Sequence, residues 1–187
     1  MARTVGADKA VTHERIVQAA AKRIRRNGYA NTSVADVMKD AGLTHGGFYA
    51  HFPSREAMLA EALDYAAAEG VRSLVGSASV DASTKHEDYL EALVDNYLSD
   101  RHLESKDLGC TIAALGTETR RQSPEIRAVA TTRIKELIAA VGKATPDALA
   151  TISTLVGALV IARIVDDPEL KDDVRAAAKK AVLKKRR

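Results

Sequence analysis

The segment AGLTHGGFYAHFPSRE, residues 41–56, places two adjacent glycines at the start of a short helical pattern that also carries two phenylalanines, a tyrosine and two histidines. A glycine inside a helix costs about 1 kcal/mol relative to alanine, so this pair needs a physical reason. Gly42 is expected to break a preceding helix over 33–41, and Thr44 to cap a helix that runs to Phe52. Two short helices around a glycine turn are typical of a helix-turn-helix.

A helical wheel of residues 44–52, at about 100° per residue, separates an aromatic side from a side without bulk. Phe48 and Phe52 fall next to each other and are predicted to be buried. The opposite face holds the smallest residues of the segment, which are Gly46, Gly47 and Ala50. Tyr49 and His51 fall on its two borders. Such a helix can bring its backbone close to another surface, and the DNA major groove is wide enough to admit it.

This arrangement predicts polar contacts to DNA from four side chains. Tyr49 and His51 are placed to bond phosphates, and Thr44 and His45 to reach base edges from the start of the helix. The alternative is that the glycines form a loose turn and the aromatic residues serve only as core. For the two phenylalanines the core interpretation is adopted.

The charge distribution favours a polyanionic partner for the first third of the chain. Residues 1–55 carry nine Lys/Arg against four Asp/Glu, residues 56–167 eleven against eighteen, and residues 168–187 eight against three. A basic first third suggests DNA, whereas the acidic middle suggests that DNA does not contact the whole surface. Chance asymmetry on solvated faces is the alternative.

The rest of the chain shows helical patterns and no strand pattern. An apolar stripe over 12–27, with Thr12 as N-cap and Gly28 as the stop, predicts the first helix. Either Thr32 or Ser33 is predicted to cap the second helix. Ser54 is predicted to cap a long fourth helix that runs to about Leu74. A linker composition follows at 76–83. Further helices are predicted over 84–101, 108–121, 124–141, 146–165 and 168–187. We therefore expect an all-α protein, with a three-helix helix-turn-helix DNA-binding domain over 1–55 and a ligand-binding and dimerisation helical bundle over 56–187.

The N-terminal segments resemble the DNA-binding domain of the tetracycline-repressor (TetR/AcrR) family. The resemblance rests on RIVQAAAKRIRRNGY, TSVADVMKDAG and GLTHGGFYAHFPSREAML, about 50 residues in all. It implies a repressor that binds DNA as a dimer and leaves it when a small molecule binds. The positions matching the family's DNA contacts are Thr32, Ser33, Thr44, His45, Gly47, Tyr49, His51 and Arg55. Members often carry a hydrogen-bonding residue at the position of Gly47, so its absence suggests fewer direct base contacts and more dependence on groove shape.

The helix 147–165 is apolar nearly all round, which requires burial on several sides. In the resembled family the last two helices form a four-helix dimer interface, and the predicted interface residues are Ile152, Leu155, Val156, Leu159 and Val160. A two-fold dimer presents recognition helices about 34–36 Å apart and requires a near-palindromic operator. A core helix of a monomer is the alternative.

The predicted effector site lies in the second domain, and the effector is unidentified. Tyr89, Leu93 and Tyr97 share a face of one helix, and Cys110, Ala114 and Thr117 share a face of the next. Tyrosines and a thiol in a helical bundle can line an apolar pocket with a few polar groups. The alternative for each of these residues is ordinary core.

Cys110 is the single cysteine and is predicted in the first turn of a helix, where the dipole lowers a thiol pKa. Some members of the resembled family with a cysteine near such a place respond to electrophiles, so an electrophile or oxidant sensor is one interpretation. A small buried hydrophobe is the other. One thiol forms no intrachain disulfide and no zinc-type cysteine pair, which suits a cytoplasmic, reducing setting.

Several function classes receive no support from the sequence. His45 and His51 are not on one face, no metal-binding or catalytic motif is present, and no cofactor is expected. The longest apolar run, TLVGALVIA at 154–162, is too short to span a bilayer. An architectural DNA-binding protein without a ligand remains an alternative, with binding almost indifferent to sequence. The basic KKRR end is either an additional phosphate contact or a frayed terminus.

Overall fold

The computed structural model describes residues 2–76 and 86–184. Over these two ranges the secondary structure is helical without strands, so the predicted all-α fold is confirmed. The α-helices are α1 (Ala2–Asn27), α2 (Val34–Asp40), α3 (Arg55–Gly76), α4 (His86–Tyr97), α5 (Asp100–Glu104), α6 (Thr111–Thr119), α7 (Pro124–Val141), α8 (Ala148–Ile164) and α9 (Pro168–Leu183). A 3₁₀ helix, His45–Ala50, lies between α2 and α3.

The chain reverses between α1 and α2 and again after α2 at two glycines with left-handed backbones. Gly28 has φ 76° and Gly42 has φ 69°, as expected from the helix stops in the sequence. Ser33 caps α2 by accepting the Asp36 amide at 3.1 Å. The amide of Leu43 donates to the Met38 carbonyl at 2.8 Å and closes the second turn. These local bonds fix the path from α1 to the 3₁₀ helix.

Caps also explain the later helices. Ser54 accepts the Ala57 amide at 3.0 Å at the start of α3. Pro124 opens α7 behind the Ser123 cap, and Asp167 caps α9 by accepting the Glu169 amide at 2.9 Å. Proline suits the first turn of a helix because a backbone N–H at that position would have no acceptor within the helix.

Three boundaries differ from the sequence expectations. Thr12 is not an N-cap, because α1 starts ten residues earlier and the Thr12 hydroxyl donates to the Asp8 carbonyl inside the helix. The helix predicted over 84–101 is two helices, α4 and α5, interrupted where Ser99 caps the second. Cys110 is the N-cap residue of α6, with extended backbone, instead of a first-turn residue. Most of the linker predicted at 76–83 lies outside the described residues.

Two apolar clusters form the interior. The first joins α1, α2, the 3₁₀ helix and α3, and it includes Leu115 of α6 and Ile126 of α7. The second is built mainly by α4, α7, α8 and α9. Helix α3 contributes Met58 to the first cluster and Leu74 to the second. The domain boundary predicted at residue 55 coincides with the start of this shared helix and stays a prediction.

Two hydrogen bonds join the turn after α1 to the end of α6. The amide of Tyr29 donates to Glu118 at 3.0 Å, and the Tyr29 hydroxyl lies 3.2 Å from the Thr119 hydroxyl. A Cβ at Gly28 would stand 2.5 Å from Oε1 of Glu118. The left-handed turn therefore both ends α1 and makes room for the carboxylate.

We expect Gly28→Ala to lower the free energy of unfolding by at least about 1 kcal/mol, because alanine is strained at positive φ and would displace Glu118. Urea unfolding followed by circular dichroism measures this. Gly116→Ala is the control, since it lies inside α6 with only ordinary contact to Ile112, and it should keep or raise stability. Equal effects of the two substitutions would contradict this account of the turn.

Candidate nucleic-acid interface and effector cavity

Two buried phenylalanines hold the 3₁₀ helix in place. Phe48 and Phe52 are almost completely buried, and their rings stack with centroids 5.5 Å apart. The His13 ring of α1 stacks on Phe52 at 4.4 Å. This confirms the aromatic side predicted from the sequence. Because that side faces the core, the opposite side of the helix faces outward.

The outward side of the 3₁₀ helix has open space at Gly46 and an exposed side chain at Tyr49. A Cβ at Gly46 would meet nothing within 4 Å, whereas one at Gly47 would lie 3.7 Å from the terminal methyl of Met38. Tyr49 is 72% exposed. In a 3₁₀ helix residues three apart eclipse each other, so Gly46 and Tyr49 share one face.

The predicted wheel was wrong on this point, because it assumed α-helical spacing. Tyr49 lies on the outward face instead of at its border, and Gly47 is half-buried against α2. Thr44 and His45 are exposed at the leading end, as predicted. Thr44 makes no side-chain capping bond, although the sequence suggested one.

His51 is half-buried at the edge of this surface, and its Nδ1 atom is buried without a hydrogen-bond partner. Burial, followed by the charges of His13 and Lys9, lowers the pKa of His51. The ring is therefore mostly neutral at pH 7, where it offers a hydrogen bond more than a positive charge.

Two other predicted contact residues support the surface from behind. Thr32 is fully buried and donates its hydroxyl to the Gly28 carbonyl at 2.8 Å, so its prediction as a DNA contact was wrong. Arg55 donates to the carbonyls of Thr32, at 3.0 Å, and of Tyr29. Its guanidinium thus holds the turn before α2. Ser33 is exposed beside them, bonded to Asp36.

Most arginines of the basic first third have intramolecular partners. Arg23 pairs with two α2 carboxylates, Asp36 at 3.0 Å and Asp40 at 2.7 Å. Arg26 pairs with Asp107, and Arg15 donates to the Ala41 carbonyl at 2.6 Å. The positive charge counted in the sequence is therefore largely used to hold helices together, and only part of it is available to an outside anion.

A cavity of about 560 Å³ lies between α3, α4, α6, α7 and the loop before α6. Of the six predicted effector residues, Tyr97 and Cys110 line it and four do not. Leu93 is fully buried in the second cluster and Ala114 packs against the first. Thr117 is exposed, and Tyr89 is half-buried on α4 away from the cavity wall. Helical spacing showed which residues share a face of α4 or α6, but it could not show which face of each helix lines the cavity.

Hydrogen-bonded polar groups of Tyr97, His102 and Cys110 form one wall of the cavity. The amide of Cys110 donates to Nε2 of His102 at 3.1 Å, so the ring proton is on Nδ1, which donates to the Tyr97 carbonyl at 2.6 Å. Arg163 donates to the His102 carbonyl at 2.8 Å and to the Leu103 carbonyl at 3.0 Å. Cys110 is half-buried, which leaves both interpretations of its thiol open. The Tyr97 hydroxyl has no nitrogen or oxygen partner in the described part of the chain and lies against the Cys110 thiol. Burial first, and then the charge of Cys110 and the contact with its thiol, raise the pKa of Tyr97.

Arg25 was missed by the sequence reasoning. It sits in the last turn of α1, yet its side chain is buried and lines the cavity. It donates to the Ala66 carbonyl at 2.6 Å, the Asp107 carbonyl at 2.5 Å and Glu69 at 2.8 Å. The available signal was its position four residues after Ala21, on the apolar stripe of α1.

The predicted dimer residues divide between core and surface. Leu155 and Leu159 are 2% and 1% exposed within one chain, so their assignment to an interface was wrong. Ile152, Val156 and Val160 are half-buried. Leu149, Ile161 and Ile164 on the same helix are exposed, the last at 74%. An apolar surface therefore remains on α8 after the monomer core is complete.

The comparisons with known proteins agree with this geometry. Residues 16–62 match the model of the bacterial regulatory proteins of the tetR family. An uncharacterized HTH-type transcriptional regulator of Mycobacterium tuberculosis is 34% identical over 173 residues, covering 82% of this chain and 85% of that protein. The chain belongs to the tetR family. It is accordingly a transcriptional regulator and not an enzyme.

Solved structures show the same fold. A TetR transcriptional regulator from Chloroflexus aurantiacus has a TM-score of 0.79 at 24% identity, covering 95% of this chain and 97% of that one. The reduced form of Escherichia coli NemR has a TM-score of 0.73 at 20% identity, covering 90% and 95%. The HTH segment and the helical second part of the chain are thus arranged as in TetR regulators.

Two further observations concern the described ranges. Within residues 2–76 and 86–184 no three His, Cys, Asp or Glu side chains gather as a metal site requires. Among the helices of those ranges, none combines the length and hydropathy of a bilayer-spanning segment.

We expect His102 to make stability depend on pH. Burial above all, with Arg163 and Arg101, lowers the pKa of His102 below 6.5. The unfolded chain then binds more protons than the native one as pH falls below about 6.5, so stability should fall in that window. His102→Gln should lose less unfolding free energy between about pH 7 and pH 5.5. Urea unfolding of the wild type and of His102→Gln at the two pH values measures this. Equal losses of unfolding free energy in the two proteins would contradict the prediction, because His51 contributes equally to both.

Proposed function

We propose that this regulator is a repressor that binds a palindromic operator as a homodimer in the cytoplasm and releases it when a small apolar effector enters the cavity. The observation that carries the proposal is the surface of the 3₁₀ helix. Its open centre at Gly46 and its exposed Tyr49 stand on a rigid base formed by Phe48 and Phe52. A surface that is open at Gly46 and carries an exposed hydrogen-bonding side chain on the same face suits close approach to a major groove.

The proposed DNA contacts are the exposed part of the predicted set. Thr44 and His45 face base edges, and Tyr49, His51 and Ser33 bond the phosphates on either side. Gly47 contributes backbone at most, since it packs toward Met38. Arg55 acts as a positioning residue, because its guanidinium is bound to two carbonyls of the preceding turn.

Release of DNA follows from the way the cavity touches the DNA-binding helices. Arg25 belongs to α1 but lines the cavity, and it binds α3 and the loop before α6. The turn after α1 is bonded to Glu118 of α6. An effector that shifts α6 or the loop therefore displaces α1 and, through it, the spacing of the two DNA-binding surfaces in the dimer.

The first test is selection of bound duplexes from a random pool, followed by affinity measurements with the Gly46→Leu variant. No atom in the described part of the chain stands within 4 Å of a Cβ at Gly46 or Gly76, so neither substitution should unfold the protein. A leucine at position 46 blocks close approach to the groove, and operator affinity should fall at least tenfold, about 1.4 kcal/mol. Gly76→Leu should bind as the wild type does.

The selection should enrich one inverted repeat. Enrichment of no sequence, with affinity set by salt alone, would indicate the architectural alternative. Wild-type affinity of Gly46→Leu would remove the 3₁₀ helix from the interface.

The second test concerns the dimer. A Cβ at Gly157 would meet nothing within 4 Å, and the residue lies between the exposed apolar side chains of α8. Gly157→Arg should leave the fold intact and convert the dimer to a monomer, because a buried unpaired guanidinium opposes association. Sedimentation velocity measures the mass. Thr132→Arg on the exposed side of α7 is the control and should remain dimeric; a dimeric Gly157→Arg protein would contradict the proposed interface.

A further inference from the structure

Two of the residues that line the cavity carry a hydrogen-bond donor that is buried without a nitrogen or oxygen partner in the described part of the chain. These donors are the hydroxyl of Tyr97 and Nε of Arg25. Tyr97 is 6% exposed, and its hydroxyl lies beside Cys110, which lines the same cavity. Nε of a guanidinium only donates, and a phenol readily donates. Buried donors without partners are rare in native structures, so acceptors on a molecule bound against this wall would satisfy them.

The charged side chains around the cavity also favour a ligand that carries hydrogen-bond acceptors. Among the described residues, its lining includes the five arginines Arg25, Arg101, Arg120, Arg127 and Arg133, and only one carboxylate, Glu69. Arg25 is paired with Glu69, and Arg133 with Asp64 and Glu136. The other three make no ion pair with any residue in the described part of the chain. These three side chains are exposed, so they place unpaired positive charge at the solvent-facing part of the cavity lining.

The remaining lining is largely apolar, and its larger members are Leu63, Val71, Leu74, Ile112, Ile134 and Leu137. Such a wall stabilises a hydrocarbon or aromatic body through burial of apolar surface. We propose that the effector is an apolar molecule with one anionic group, such as a carboxylate or sulfonate, whose oxygens accept from Tyr97 and from the arginines. This inference rests on the proposed function, because it assumes that the effector occupies this cavity.

A matched pair of fluorescent probes tests the inference on the full chain. Anilinonaphthalene sulfonate and N-phenylnaphthylamine share one aromatic body and differ in the sulfonate. We expect the sulfonate to bind at least about tenfold more tightly, and to slow the reaction of Cys110 with N-ethylmaleimide. Because the chain has one cysteine, that reaction reports the cavity alone.

Two variants separate recognition of the anion from general affinity. Tyr97→Phe keeps the ring and removes only the hydroxyl, so it should lower sulfonate affinity about threefold or more and leave the neutral probe unchanged. Arg127→Gln should act in the same direction, while Arg72→Gln on the exposed side of α3 should have no effect.

Equal affinities for the two probes, or equal losses for both in Tyr97→Phe, would overturn the inference. So would sulfonate binding that leaves Cys110 reactivity unchanged. Operator affinity is measured on the same preparations. If DNA binding is intact while the sulfonate shows no preference, this inference alone fails; if operator binding is absent, the proposed function fails.

Discussion

The burial of Phe48 and Phe52 is the constraint on which the surface of this protein depends. The two rings stack on each other and on His13, and they attach a six-residue 3₁₀ helix to α1 and α3. A segment so short, with two glycines, is not stable as an isolated helix. Its orientation therefore comes from tertiary packing, and with it come the exposure of Tyr49 and the open position at Gly46. The DNA contacts proposed for this small, exposed surface depend on the opposite surface being fixed.

Arginine side chains join the helices around the 3₁₀ helix to one another. Arg23 ties α2 to α1, Arg55 ties α3 to the turn before α2, and Arg25 ties α1 to α3 and to the loop before α6. These bonds end on carboxylates or on backbone carbonyls, and a charged donor makes each of them stronger than a bond between neutral groups. The same network that positions the proposed DNA-binding surface thus reaches the wall of the cavity, and it joins the two regions of the chain by direct hydrogen bonds.

Local signals predicted the helices well, because capping residues, Pro124, Pro168 and the two left-handed glycines act over a few residues. Properties set by tertiary packing were not predictable. Thr32 resembles a surface cap but is buried, and the apolar α8 gave no indication that Leu155 faces its own chain's core. The 3₁₀ spacing, the cavity lining and the burial of Arg25 depend on distant segments, which periodicity along one helix cannot reveal.

The most direct test of the central claim is DNA cleavage by an iron–EDTA group tethered at Ala50→Cys in a Cys110→Ser background, bound to a selected operator. Ala50 is small and exposed next to Tyr49, so a reagent attached there should lie against the DNA. The account predicts two narrow clusters of cleavage, one in each half-site, with centres about 34–36 Å apart along the duplex. Cleavage spread evenly along the DNA, or no cleavage while the complex stays intact, would contradict it.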